Sequence, residues 1–373
     1  MAIIRRLERF MSYAKNEYKR SKAEVFFIAV FLPTVFLMYS VYKWPHWFVE
    51  KGLVDSLDAF WLFGKSPSFW YSTVYTGIVC WISGKILLSD KSPYKRGKNP
   101  KLSKYQRNKF LSIFLVQLII FYLLPYVISP LAAGRSLLSD PVASSYYSAY
   151  VYISKGFTSW GSMFYCFVLI PISVWYFGKR YCSWFCACGN LAETIGVTKW
   201  GAAWVKHKTP TGKSAERLES IQTLFMIFGF FFGFLLFFDM LKVFTSSNLI
   251  EVSRNFESFV VDFIFGAIIG VGAYPFLGTR IWCRYGCPLA KFMELFGRWT
   301  KGHFKVKANE NCKGVDLCSQ ACPMGIDVAS FAHKDKKPIN GDFGLYNTTC
   351  IGCGGCVDVC PFDALEFEYK NWA

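Results

Sequence analysis

The chain has 373 residues, of which 53% are hydrophobic and 19% aromatic, and its formal net charge is +17 at pH 7. Soluble globular domains contain fewer apolar residues, so this composition excludes an ordinary soluble domain and indicates a membrane protein. A strongly basic chain can also bind nucleic acid, but the distribution of the basic residues, described below, argues against that partner.

Several apolar runs approach or exceed the roughly 20 residues that a helix needs to cross a bilayer. The first 22 residues contain seven Lys or Arg and no cleavage-site pattern after a short apolar core, so the first span is predicted to be retained rather than removed with a signal peptide. Residues 1–22 fit an amphipathic helix on the inner membrane surface. We predict six spans, at residues 23–42, 69–88, 110–131, 159–177, 221–244 and 260–277.

The basic residues lie mainly on one side of these spans. With the N-terminus inside, the inner segments before the C-terminal domain contain 27 Lys and Arg, whereas the outer segments contain six. Inner loops of membrane proteins are enriched in Lys and Arg, so both termini are predicted to lie in the cytoplasm, in a bacterial-type inner membrane. Contact with anionic lipid then accounts for the basic loops without a nucleic acid.

Twelve of the fourteen cysteines fall in the predicted inner segments, and the other two, Cys80 and Cys166, fall within spans. Thiols stay reduced in the cytoplasm, so disulfides are not expected to hold this fold. Iron-sulfur clusters, in contrast, bind cysteine thiolates. We interpret Cys80 and Cys166 as small apolar residues packed between helices.

The most informative motif is a C-x2-C-x2-C-x3-C-P run at Cys350, Cys353, Cys356 and Cys360. This spacing is typical of bacterial ferredoxins, in which it wraps a 4Fe-4S cluster. A zinc or disulfide loop is the alternative, but zinc ribbons pair their cysteines and rarely place four in so short a segment.

A second run with the same frame contains Cys312, Cys318 and Cys322, but Val315 occupies its second ligand position. In two-cluster ferredoxins the last cysteine of a run binds the other cluster. The incomplete site is therefore predicted to hold a 3Fe-4S cluster, or a 4Fe-4S cluster whose fourth iron binds water, a carboxylate such as Asp316 or a partner's ligand. The two predicted ligand sets are Cys322, Cys350, Cys353 and Cys356, and Cys312, Cys318 and Cys360.

Spans four and six end in the same pattern, a Gly-x-Arg segment followed by C-x3-C. Internal repeats of this kind indicate pseudo-symmetric packing in membrane proteins. We predict that the two pairs converge to hold a third 4Fe-4S cluster at the inner membrane boundary. Two alternatives stay open, namely working dithiols and buried cysteines without a ligand. The cysteines concerned are Cys182, Cys186, Cys283 and Cys287.

Few titratable residues lie in the predicted spans. Asp239 and Asp262 lie toward the outer ends of spans five and six, where carboxylates are functional candidates by default. Lys242 offers Asp239 an ion pair as the alternative. His46 follows the first span in an aromatic segment. The two aspartates and His46 are weak candidates for a quinone site, and no predicted span contains a histidine that could bind a haem.

These patterns predict an all-α polytopic membrane domain of about six helices, followed by a C-terminal α+β ferredoxin-like domain with two clusters. The predicted boundaries are 1–22 for the basic surface segment, 23–300 for the membrane domain and 301–373 for the ferredoxin-like domain. A soluble domain this short buries little apolar surface, so its clusters are expected to contribute to its stability.

The helices, the two C-x3-C motifs and the C-terminal cysteine runs together resemble the membrane-bound polyferredoxins of the NosR/NapH type, over roughly residues 110–373. Three positions depart from that pattern: Ala187 replaces a proline, Cys188 is an additional cysteine and Val315 replaces a ligand. The resemblance implies a membrane electron-transfer subunit that links the quinone or quinol pool to iron-sulfur clusters on the cytoplasmic side, an oxidoreductase component of the quinol dehydrogenase type.

The partners implied by this function are membrane lipid, quinone and other redox subunits, such as a ferredoxin, a flavoprotein or a cytochrome. A second hypothesis is a reductase of metal ions or thiols that serves the maturation of metalloenzymes, with the C-x3-C pairs as dithiols. In a third hypothesis the protein is a membrane anchor whose clusters have only a structural role.

Overall fold

The computed structural model describes residues 19–94, 100–138, 157, 159–243, 247–300, 303–335 and 337–369. The predicted surface helix at residues 1–22 therefore lies almost entirely outside the described residues. Helices make up most of the described chain, and strands occur mainly in its C-terminal part. This arrangement confirms the prediction of a helical membrane domain with a C-terminal ferredoxin-like domain.

The described residues of the first half of the chain form five helices and one short 3₁₀ helix, Leu57–Phe60. These helices are α1 (Lys22–Lys43), α2 (Pro45–Glu50), α3 (Pro67–Ser89), α4 (Lys104–Ala132) and α5 (Trp160–Trp184). The second half of the membrane domain contains α6 (Ala187–Gly196), α7 (Lys199–Lys208), α8 (Gly212–Met240), α9 (Asn248–Gly272), α10 (Tyr274–Leu277), α11 (Trp282–Gly286) and α12 (Pro288–Thr300).

Five of the described helices, α1, α4, α5, α8 and α9, are long and apolar enough to cross a membrane, where the sequence predicted six spans. The remaining predicted span, at residues 69–88, coincides with α3, which has 23 residues but is less apolar. Its first turns carry hydroxyl groups that contact tyrosines of α4, with 2.7 Å between Ser72 Oγ and Tyr126 Oη and 3.0 Å between Thr73 Oγ1 and Tyr122 Oη. Polar contacts with a neighbouring helix thus replace lipid contacts on this face of α3.

Helix α3 nevertheless runs along most of its neighbour α4 in the opposite direction. At one end Tyr126 of α4 contacts the start of α3, and at the other the N–H of Leu102, just before α4, donates to the carbonyl of Asp90, just after α3. Helix α1 is likewise antiparallel to α9, because Arg20 reaches the carbonyl of Pro275 while Lys43 pairs with Asp262. All six predicted spans therefore exist as helices arranged side by side.

Serine side chains cap the starts of four of these helices, α1, α3, α4 and α5. Ser66 Oγ accepts the N–H of Phe69 in α3 at 3.3 Å, and Ser103 Oγ accepts the N–H of Gln106 in α4 at 3.3 Å. A serine at this position satisfies a backbone donor that has no partner within the helix. The cap at Ser103 also fixes the first turn of α4, which contacts the C-terminal domain.

The C-terminal part is built on a three-stranded antiparallel sheet with the order β4-β1-β5. Val306 of the central strand lies opposite Phe343 and Phe367 of its two neighbours. Alternate residues of β1 are buried, which gives the sheet one face toward the core. The remaining elements are a small hairpin and three short helices. The strands are β1 (Phe304–Ala308), β2 (His333–Lys334), β3 (Lys337–Pro338), β4 (Asp342–Gly344) and β5 (Leu365–Tyr369), and the helices are α13 (Leu317–Gln320), α14 (Ala329–Ala332) and α15 (Gly355–Val359).

Candidate metal centres

The first group of cysteines lines a cavity beneath the sheet and will be called the proximal site, because it lies against the membrane helices. Its members are Cys322, Cys350, Cys353 and Cys356. Burial raises the pKa of Cys356, and the nearby sulfurs of Cys353, Cys350 and Cys322 raise it further. Thiols whose charges act on one another in a buried site resist ionisation unless a cation joins them, which is the role that the irons of a cluster would play.

A second cavity, the distal site, is lined by Cys312, Cys318 and Cys360 together with Val315 and Asp316. The backbone N–H of Ala364 lies 3.4 Å from Cys360 Sγ, a distance suited to a hydrogen bond to a thiolate. The structure thus groups the cysteines of the two runs into the same two sets that the crossed arrangement predicts. Val315 is 46% exposed and offers no ligand atom.

The third group contains Cys182, Cys186, Cys283 and Cys287, all of them buried, and will be called the membrane site. It forms where α5 ends and α6 begins, beside α11 and the start of α12. Burial raises the pKa of Cys287, and the sulfurs of the other three cysteines raise it further. Gln222 of α8 holds the second pair in place by donating from Nε2 to the carbonyls of Cys283 at 2.9 Å and Cys287 at 3.0 Å.

Cys188 makes a fifth sulfur at the membrane site, a position to which the sequence assigned no role. A hydrogen bond from Cys188 lowers the pKa of Cys186 to about 7, against the opposing effect of burial. The hydrogen bond with Cys186 and burial raise the pKa of Cys188, and the sulfurs of Cys283 and Cys287 raise it further. The additional cysteine therefore belongs to the same group as the two C-x3-C pairs.

In the described part of the chain, no three His, Cys, Asp or Glu side chains lie close enough to hold a single metal ion. In a cubane each thiolate binds a different iron, so its four sulfurs stand farther apart than the ligands of one ion.

The proximal site rests directly on the N-terminal end of α4 and the C-terminal end of α5. Ser183 Oγ donates to the carbonyl of Ile351 at 2.7 Å, Tyr105 Oη donates to the carbonyl of Gly352 at 2.5 Å, and Gln106 Nε2 donates to the carbonyl of Cys353 at 3.1 Å. These contacts clamp the cysteine loop onto the membrane domain. Sequence reasoning missed them because no motif marks the donors.

Gly352 shows how closely the cysteine loop packs against the membrane domain. Its φ angle is 60°, and a Cβ atom there would lie 2.5 Å from Arg180 Cγ. We expect Gly352→Ala to lose iron from the proximal site and to lower the free energy of unfolding by more than the roughly 1–2 kcal/mol of a left-handed residue, since the clash adds to that cost. Iron analysis and thermal unfolding of the purified protein measure both effects.

Gly52→Ala is the matched control, because Gly52 has a φ angle of 66° but nothing within 4 Å of the added carbon. This variant should lose only the conformational part of the free energy of unfolding and should keep all of its iron. Equal effects of the two substitutions on iron content would contradict the close docking of the cysteine loop.

Three buried charged residues lie between the membrane site and the proximal site. Lys109 Nζ is 2.6 Å from Glu193 Oε1, and Arg280 pairs with the other oxygen of the same carboxylate. Burial favours the neutral acid, but the two cations outweigh it and lower the pKa of Glu193 to about 2. Of these three residues, only Arg280 belongs to a sequence motif, the Gly-x-Arg repeat.

The weak quinone-site candidates do not form a group among the described contacts. Asp262 pairs with Lys43 at the end of α1, opposite the cysteine sites. Asp239 and Lys242 form no side-chain ion pair in the described structure, and the N–H of Lys242 instead donates to the carbonyl of Asp239 at 2.9 Å. His46 lies in α2, with no described contact to either aspartate.

Two family profiles match the chain, and each is described as a 4Fe-4S binding domain. One covers residues 346–366, which contain the run from Cys350 to Cys360. The other covers residues 159–210 and 259–307, which contain both C-x3-C pairs. Iron-sulfur binding domains therefore occur in both the C-terminal part and the membrane domain.

Curated relatives agree with these matches. An uncharacterized protein of Methanocaldococcus jannaschii is 27% identical over 218 residues, which are 58% of this chain and 83% of the relative. The ferredoxin-type protein NapH of Escherichia coli K12 is 23% identical over 212 residues, 54% of this chain and 67% of its own length. One subunit of an ion-translocating oxidoreductase complex of Aliivibrio fischeri is 43% identical over 42 residues, 11% of this chain and 22% of its own length.

No solved structure matches the chain. The profiles and relatives nevertheless agree with the architecture, in which apolar helices carry one cysteine group and a small sheet domain carries two. The chain is thus a membrane-associated electron transport protein with 4Fe-4S binding domains, similar to the NapH-type polyferredoxins.

Proposed function

We propose that the protein is the membrane subunit of a redox complex and carries electrons between the quinone pool and iron-sulfur clusters on the cytoplasmic side. The observation that carries this proposal is the succession of three cysteine groups, from the buried membrane site through the proximal site to the partly exposed distal site. Each group would hold one cluster, so electrons would cross from the hydrophobic helices to the protein surface in short steps.

The ligands of the three clusters are proposed as follows. Cys182, Cys186, Cys283 and Cys287 would hold a 4Fe-4S cluster at the membrane site. The proximal site would hold a second 4Fe-4S cluster on Cys322, Cys350, Cys353 and Cys356. The distal site, with Cys312, Cys318 and Cys360, would hold a 3Fe-4S cluster or a 4Fe-4S cluster with a non-cysteine ligand. The match of a 4Fe-4S binding profile to both C-x3-C pairs supports the first assignment.

The electron balance of the reaction is simple. A quinol gives up two electrons and two protons as it becomes a quinone, and each cluster accepts one electron at a time. The membrane site is the natural first acceptor, since its cysteines lie at the ends of membrane helices. The distal site is then the contact point for a redox partner of the class of a ferredoxin, a flavoprotein or a cytochrome.

The proposed function is tested by mixing the oxidised, detergent-purified protein with a short-chain quinol and recording cluster signals by electron paramagnetic resonance. We expect reduction of at least one cluster, or oxidation of the dithionite-reduced protein by the matching quinone, depending on the potential of the quinone. Clusters that respond to dithionite but to neither form of any quinone would contradict the quinone link.

The proposed sidedness follows from the basic inner segments and is tested with membrane vesicles. Ferricyanide does not cross a bilayer, so it should oxidise the distal cluster quickly in inverted vesicles and slowly in right-side-out ones. The opposite result would place the clusters on the outer side.

One observation favours the alternative function, a metal-ion or thiol reductase. The hydrogen bond from Cys188 lowers the pKa of Cys186 to about 7, and a thiol that ionises near neutral pH is a better nucleophile in disulfide exchange. A working dithiol at the membrane site predicts rapid alkylation of Cys186 in the reduced protein and turnover with a disulfide substrate. Cluster ligands predict neither.

A further inference from the structure

The membrane site and the proximal site are joined by a continuous set of buried charges, Lys109, Glu193 and Arg280, which we call the charge bridge. All three side chains are at most 2% exposed. Tyr94 completes the set by donating from its hydroxyl to Glu193 Oε1 at 2.7 Å. The bridge lies between two predicted clusters and far from bulk water, where charges interact strongly.

Each end of the bridge binds the backbone of a different cysteine group. Arg280 Nη1 donates to the carbonyl of Cys182 at 2.9 Å and lies 3.8 Å from Cys283 Sγ, both at the membrane site. Lys109 Nζ donates to the carbonyl of Cys353 at 2.9 Å, at the proximal site. Glu193 pairs with both cations, so the two cysteine groups are connected through hydrogen bonds alone.

The charges of the bridge do not cancel. Two cations face one carboxylate, and Lys179, which is only 1% exposed, adds a third cation near Cys182 and Cys350. Leaving a positive charge buried without a counter-charge is costly. A cubane held by four thiolates is an anion, so a cluster in each site would supply the missing negative charge.

We propose that Lys109, Glu193 and Arg280 are positioning residues that fix the membrane and proximal clusters relative to each other and set the potentials of both. This inference rests on the proposed function, because it assumes a cluster at the membrane site. A nearby positive charge stabilises the reduced cluster, which carries the larger negative charge, and so raises its reduction potential. A nearby negative charge lowers it.

The test uses two substitutions of opposite sign in the full-length protein. Lys109→Gln removes a cation and should lower the potential of the proximal cluster, whereas Glu193→Gln removes the anion and should raise the potentials of both clusters. We expect each to change the ratio of reduced to oxidised proximal cluster about tenfold at a fixed solution potential, which corresponds to about 59 mV for one electron. Potentiometric titration followed by electron paramagnetic resonance measures both clusters.

Three further variants separate charge from structure. Lys109→Arg keeps the charge, so the proximal cluster should have its native potential. The double variant Lys109→Gln with Glu193→Gln removes one charge of each sign, so its potential should also be close to the native value. Arg107→Gln is the matched control, because Arg107 lies on the same helix but is 54% exposed and pairs with Asp90 at the surface. Its loss should leave both potentials unchanged.

The iron content distinguishes the possible failures. Shifts of the same sign in Lys109→Gln and Glu193→Gln, or no shift, in protein that keeps about eleven or twelve irons would overturn the charge bridge and leave the proposed function standing. Native protein with only about seven or eight irons would mean that the membrane site holds no cluster, and the proposed function would fail first. If one of the two single substitutions prevents folding, the sign of the shift in the other, compared with Lys109→Arg, still decides the question.

Discussion

Protein carrying Cys182→Ser and Cys283→Ser together is expected to contain about four fewer irons per chain than the native protein, falling from about eleven or twelve to about seven or eight. One cysteine is removed from each C-x3-C pair, so the membrane site would retain only Cys186 and Cys287 of its four predicted ligands. Two thiolates do not hold a cubane. Quinol should then no longer reduce the proximal and distal clusters, because their connection to the membrane is lost. Iron analysis and the quinol assay measure the two effects.

The control for this variant is Cys80→Ser with Cys166→Ser, which also removes two cysteines from the membrane helices. Neither residue lines a cysteine group in the described structure, so iron content and quinol reactivity should stay at native values. Cys188→Ser shows in addition whether the fifth sulfur is needed for the cluster. Unchanged iron in the Cys182 and Cys283 variant would remove the third cluster from the mechanism and favour the dithiol reductase.

Val315→Cys is expected to convert the distal cluster into an ordinary four-thiolate 4Fe-4S cluster. Val315 lines the distal cavity beside Cys312 and Cys318, and its side chain is 46% exposed, so the substitution adds a ligand at little packing cost. The native protein should show an oxidised-state 3Fe-4S signal in electron paramagnetic resonance, or lose one iron readily to a mild chelator. In the variant both properties should disappear, with a gain of up to one iron per chain.

Asp316→Asn tests the alternative that a carboxylate completes the distal cluster. Asp316 lines the same cavity and has a φ angle of 55° at the start of α13, where its side chain accepts no capping hydrogen bond. If its carboxylate binds the fourth iron, the asparagine variant should gain a 3Fe-4S signal that the native protein lacks. Two indistinguishable 4Fe-4S clusters in both the native protein and this variant would mean that another group is the fourth ligand.

The grouping of the ferredoxin cysteines could be predicted from their spacing. A C-x2-C-x2-C segment is too short to place its thiols on separate sites, and the following proline and the second run imply that the fourth cysteine crosses over. Long apolar runs likewise predict membrane helices, since few other environments accept them. For α3 the sequence predicted the helix, and the structure adds that the hydroxyl-bearing residues that make it less apolar than the other spans contact α4.

What only the tertiary structure decided is how distant polar residues meet. Lys109 and Arg280 lie 84 and 87 positions from Glu193, and Lys43 lies 219 positions from Asp262, so no local pattern could relate them. Helix packing removes water from around these charged side chains. Each charge is then stabilised mainly by the partner that packing places beside it. The sequence by itself therefore determined which atoms could bind iron, while the packing of the helices determined what surrounds the cysteine groups and how they are connected.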